Sequence, residues 1–82
     1  MHHEHDHTFS VIDFETTEHQ TTFVQFTCFD AVLEKTFSGE VKFVGGRPYG
    51  DIVHPERSSM STECREFVQE MLLVKYEAGE FS

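Results

Sequence analysis

The first thirty-four residues contain no lysine and no arginine although they carry seven carboxylates, and all six basic residues lie between Lys35 and Lys75. That half of the chain is a strongly negative surface, relieved only by histidine. The net charge of −9 argues against direct binding of nucleic acid or an anionic membrane, because both need a basic surface. Asparagine is absent, which removes any N-glycosylation acceptor and one common orienting amide. No run approaches the roughly 18 apolar residues that cross a bilayer, and no positive N-terminal region leads into an apolar stretch. A cytoplasmic protein is the expectation. Only two cysteines occur, Cys28 and Cys64, and their separation fits no metal-binding spacing. Each falls among apolar residues of an expected element, so buried free thiols are expected, with a disulfide only in an exported protein.

What is present suits one small domain. A chain of 82 residues with nine Phe and 38% hydrophobic content has enough apolar mass for a thin core. Residues 1–8 read as a flexible His-rich terminus, 9–78 as a single α+β domain and 79–82 as a tail. Phe9–Thr16 and Thr21–Phe29 are rich in Phe, Val, Ile and Thr and read as strands joined by a short polar hairpin. Alternation sends Phe9, Val11, Asp13 and Glu15 to one face, and Ser10, Ile12, Phe14 and Thr16 to the other. In the second strand Val24, Phe26 and Cys28 share a face. Asp30-Ala31 turns the chain into a third strand at Val32–Phe37, and Ser38-Gly39 turns it into a fourth at Glu40–Val44. The expected fold is an antiparallel β-meander of three to four strands with one C-terminal amphipathic helix packed on one face.

That helix spans Thr62 to Ala78, with Ser61 as N-cap and Gly79 as terminator. Cys64, Phe67, Val68, Met71, Leu72 and Lys75 make its core stripe. Glu63, Glu66, Glu70 and Glu77 line the opposite side. Residues 45–60, with three Gly and both Pro, form a long connector that carries Arg47, Tyr49, His54 and Arg57. It lacks the G-K-[ST] ending of a phosphate loop, and no nucleophile elbow occurs anywhere.

The N-terminal M-H-H-E-H-D-H places His2, His3, His5 and His7 beside a free amine, a pattern able to chelate Cu(II) or Ni(II). Such binding is expected to be adventitious, and no cofactor is otherwise expected. Five of the six histidines lie in the acidic half, so charge there falls as pH drops toward ~6.5.

Val11 to Thr17, V-I-D-F-E-T-T, resembles the first signature of the DEDD-type proofreading exonucleases. The resemblance implies that Asp13 and Glu15 bind two divalent cations, which activate water and stabilise the phosphoryl transition state. The pattern departs at Glu18, where that family has glycine. Asp30, Asp51, His19 and His54 stand in no context that matches the family's remaining aspartates and base.

The charge distribution favours a non-catalytic interaction or inhibitory protein. It would dock on a protein partner with a basic surface, such as a groove that normally holds nucleic acid. The candidate contacts are Asp13, Glu15, Glu18, Glu63, Glu66, Glu70 and Glu77, with Arg47 and Tyr49 as loop contacts. The alternative is a metal-dependent, nuclease-like or metal-binding protein that uses Asp13 and Glu15 or the terminal histidines. Large apolar groups expected on both sheet faces suggest either a homodimer or a connector folded over the second face.

Overall fold

Thr22–Asp30 (β2) alternates buried and less buried residues along its whole length, and it is the central strand. The structure, a computed structural model, describes residues 6–17, 19 and 21–81. Thr8–Thr16 (β1), β2, Lys35–Val44 (β3) and Arg47–Tyr49 (β4) form one antiparallel sheet in the order β1-β2-β3-β4. One helix, Thr62–Glu77 (α1), follows a short 3-10 turn at Asp51–Val53. The α+β meander with a C-terminal helix is therefore the architecture of the chain. No described helix is long and apolar enough to cross a membrane.

The core lies on one face of the sheet. Val24, Phe26 and Cys28 of β2 and Val41 and Phe43 of β3 are buried there against Cys64, Val68 and Leu72 of α1. Full burial of each such side chain is worth about 1.5–3 kcal/mol. Phe43 stacks on Tyr76 of the helix with ring centroids 4.5 Å apart. Phe81, within the expected tail, is 3% exposed and packs on both Phe14 and Phe43. A Schellman arrangement sends the chain back there. Gly79 adopts a φ of 78°, its N–H reaches the Tyr76 carbonyl, and the Glu80 N–H reaches that of Lys75.

Three local features depart from the expected pattern. In β1 the register slips between Val11 and Asp13, so that Ile12 is an extra residue in a bulge. The bulge moves Phe14 to the core side, opposite Val24, where Phe9 and Val11 already lie opposite Cys28 and Phe26. Asp13 and Glu15 still share a face, but no longer with Phe9 and Val11.

The second departure is at Ser38-Gly39, which makes no turn: β3 runs unbroken through both residues. Val32 and Leu33, expected in a strand, belong to the turn before it. Gly39 faces Phe26 in register, and a Cβ built on it would stand 2.5 Å from the Ile52 side chain. It is glycine so that the connector can press on the sheet. The third departure is the turn itself, at Gly45-Gly46, with φ of 62° and 83°. Val44 pairs directly with Arg47, so this is a two-residue hairpin of the kind that needs positive φ at both positions. It makes Arg47 and Tyr49 strand residues. The connector does not cover the second face, because Val53 and Met60 are buried in the same core as the helix.

Asp30 joins these parts. Its side chain is fully buried. It accepts hydrogen bonds from the Val32 and Leu33 amides at 2.9 and 3.2 Å, which shape the β2–β3 turn. It also accepts from the Ser61 amide at 2.7 Å and the Ser61 hydroxyl at 3.0 Å. Ser61 Oγ in turn accepts from the Cys64 amide as N-cap of α1. Burial alone would raise the Asp30 pKa, but these donors outweigh it and hold the carboxyl below its ordinary value.

Asp30→Asn should lower stability by about 2–4 kcal/mol, because an amide replaces one acceptor among committed donors. A group with a depressed folded-state pKa stabilises above its unfolded value, near 3.9, and loses that contribution as pH falls through the folded value. Urea titrations should therefore show native and variant chains far apart at pH 7 and converging below about pH 4. A gap unchanged by acid would mean that the charge is not what matters. Gly39→Ala should cost about 1–3 kcal/mol through the clash with Ile52. Adding Ile52→Val, which removes the nearest methyl, should recover part of that loss. Simple additivity in the double-mutant cycle would contradict this account of Gly39.

Candidate functional site

The face of the sheet turned away from α1 is open. Register places Glu15 beside Phe23 and Phe23 beside Lys42, and sets Asp13, Gln25 and Glu40 in the adjoining row. Asp13, Phe14, Glu15, Phe23, Gln25 and Glu40 line a shallow depression of about 60 Å³. Three carboxylates thus surround one half-buried aromatic ring. The Asp13 carboxylate is steadied by the Phe14 amide at 2.8 Å, and Gln25 reaches Glu40 at 3.5 Å. Chemically, such a depression suits a cationic side chain, whose charge meets carboxylates while its flat or aliphatic part lies on the ring.

The structure separates the acidic residues singled out by sequence. Asp13 and Glu15 lie on the open sheet face, whereas Glu66, Glu70 and Glu77 are exposed on α1, whose buried side covers the opposite face. They form two surfaces, not one. Glu63 is drawn aside by a 2.7 Å contact with His7. Glu18 lies outside the described residues. Glu40, which completes the open-face group, was not among the expected contacts. Only its pairing opposite Gln25 reveals it, and that pairing depended on recognising β3 as one strand.

The open face is not uniformly acidic. Lys42 and Tyr49 are paired across β3 and β4, and Arg47 is paired with Val44 at the same edge. Tyr49 is 53% exposed and Val44 46%. Arg47 and Tyr49 also line a groove between the Gly45-Gly46 hairpin and Gln69 and Leu73 of α1. Carboxylates therefore gather toward β1, cations toward β4.

Asp13 and Glu15 belong to no group of three described His, Cys, Asp or Glu side chains whose ligand atoms lie within 4.8 Å of one another. The one such group is His7, Asp30 and Cys64. His2, His3 and His5 lie outside the described residues. His7 is 5% exposed, and its ring is held on three sides. Nδ1 accepts the Ala31 amide at 3.0 Å, Nε2 meets Glu63 at 2.7 Å, and Phe67 lies alongside at 5.5 Å between centroids. A ring that accepts at Nδ1 carries its proton on Nε2 and donates it to Glu63. His7 therefore ties β1 to α1.

The two thiols are poor nucleophiles. Burial raises the pKa of Cys28, and burial followed by the charges and polar groups around it pushes Cys64 up to about 12, despite its position in the first turn of α1. Both are free and protonated at neutral pH. Set against known protein families, curated proteins and solved structures, the chain matches none.

Proposed function

We propose that this is a small non-catalytic binding protein that docks on a basic surface of a partner protein through the β1 side of its open sheet face. The observation that supports this reading is the grouping of Asp13, Glu15 and Glu40 around Phe23, on the face that neither helix nor connector covers. A partner Arg or Lys would lie over Phe23 and pair with the carboxylates, and Arg would do so with two parallel hydrogen bonds. Grooves that hold nucleic acid present such cations in rows, and an acidic sheet face is a suitable occupant. The helix carboxylates Glu66, Glu70 and Glu77 point elsewhere. Their role is to hold the chain's negative field, which speeds encounter with a basic partner without contacting it. A second copy is the competing occupant, because Lys42 and Arg47 of one chain complement Asp13 and Glu15 of another.

The discriminating experiment compares native chain with Asp13→Asn/Glu15→Gln/Glu40→Gln and with Glu66→Gln/Glu70→Gln, using a captured cellular partner and an Arg-rich peptide as probe. The open-face variant should lose at least about 10-fold in affinity, with binding falling steeply as salt rises. The helix variant should slow association and leave dissociation near native. Equal affinity at low and high salt would defeat this reading. Sedimentation as a salt-sensitive dimer, with no binding of the peptide, would assign the face to self-association instead.

A further inference from the structure

Three sulfur atoms meet where β2 passes the start of α1, Cys28 from the strand and Met60 and Cys64 from either side of the helix cap, four residues apart. Met60 Sδ lies 3.5 Å from Cys28 Sγ and 3.8 Å from Cys64 Sγ, and the thiols are close enough to interact with each other. Met60, Cys28 and Cys64 are 7%, 2% and 0% exposed. His7 and Asp30 adjoin Cys64, but their polar atoms are already committed. Asp30 accepts four hydrogen bonds from the turn and the helix cap, and both nitrogens of His7 are engaged. Recruiting either as a ligand would undo the cap or the turn. The sulfurs hold weak contacts among themselves and with the backbone, Cys64 with the Phe29 carbonyl at 3.9 Å and Cys28 with Phe37.

We propose that Cys28, Cys64 and Met60 form a buried binding site for copper(I). Two thiols and a thioether are soft ligands, which select this ion over harder cations. The two edges that meet at Met60, 3.5 and 3.8 Å, each fit a pair of bonds of the ~2.3 Å at which thiolate binds a d¹⁰ metal ion, opening at roughly 100–110°. Met60 is thus spaced to share one ion with either thiol before any ion arrives. Each thiol releases its proton to solvent as its sulfur bonds the metal. Two thiolates and a monovalent ion leave one negative charge, and Asp30 adds another nearby. The positive end of α1, where Cys64 is the third helical residue, opposes both. Packing alone accounts for sulfur in a core, but it gives no reason for Cys28 to meet the Met60 and Cys64 pair, more than thirty residues away, sulfur to sulfur.

The test is an anaerobic titration of the reduced full chain with copper(I), in competition with a chromophoric copper(I) chelator, followed by the copper X-ray absorption spectrum. One ion per chain with three sulfur neighbours is expected. Met60→Leu, which keeps the volume and both thiols, should weaken binding by about 10-fold or more while melting near the native temperature. Replacing His2, His3 and His5 together by Ala should leave the affinity unchanged. Copper with nitrogen neighbours that disappears with those histidines is an adventitious terminal ion only, and it overturns the proposal. So does a native chain that fails to compete with the chelator. The absorption spectrum of the native chain decides the ligand set even where a variant folds poorly.

Discussion

A single buried carboxylate, Asp30, fixes how the two layers of this protein meet. It ends the central strand, orders the next turn through two amides, and receives both the amide and the hydroxyl of the residue that caps the helix. Ser61 is therefore held from both sides, its hydroxyl donating a hydrogen bond to Asp30 and accepting one from the Cys64 amide. The starting point of α1 is set relative to β2 by these bonds. Because helical residues recur every 3.6 positions, fixing the start also fixes which side chains face the sheet. Cys64, Val68 and Leu72 are fully buried as a result. His7 reinforces the same corner from β1 through Ala31 and Glu63.

From that corner the chain places nearly all its large apolar groups on one side of the sheet. The bulge at Ile12 brings Phe14 to that side, and Gly39 lets Ile52 approach it. The Schellman turn returns Phe81 beneath Phe43. Each device answers a problem of a short chain: one helix of sixteen residues is too narrow to cover a sheet of four strands. The connector and the last residues fill the remainder. The opposite face carries polar side chains in register, the half-buried rings of Phe23 and Phe29, and the exposed Val44 and Tyr49. The core is complete without a second covering layer, and the open face offers an occupant both charge and scattered apolar side chains.

Much of this was legible in the residues. The alternation of Val24, Phe26 and Cys28, the helix stripe, the Ser61 cap and the Gly79 stop are local patterns, and each holds in the structure. The features that were not legible depend on distant partners. Ser38-Gly39 has turn chemistry, but its glycine is required by Ile52, thirteen positions later. Gly45-Gly46 has equal turn chemistry and uses it. Nothing within three residues of either distinguishes them. Asp30 reads as an ordinary turn former until Ser61 is seen above it. Of the candidate contacts, Asp13 and Glu15 were correctly paired on one face, while Glu40 was hidden by the misplaced turn. The helix acids could be ordered along α1 from sequence, but not oriented against the sheet.

That orientation bears directly on what the negative charge can do. Exposed charges on opposite sides of two packed layers are separated by a sheet and a helix, roughly 10 Å apart at their axes. The charges, projecting outward from the two layers, lie farther apart than those axes and so beyond the Debye length at physiological salt, about 8 Å. One flat surface cannot touch both acidic sets, and their fields combine for a diffusing basic molecule only as salt falls and the Debye length grows. In the proposed reading, binding strength comes from the sheet face, where carboxylates, a ring and a rigid strand scaffold occur together. Long-range attraction in that reading comes from the whole chain. The open face also has its own polarity, with Asp13 and Glu15 on β1 and Lys42 and Arg47 toward β4. A basic partner approaching in the reversed orientation meets like charge at one end, so the sheet that collects charge also sets the direction in which a partner can lie.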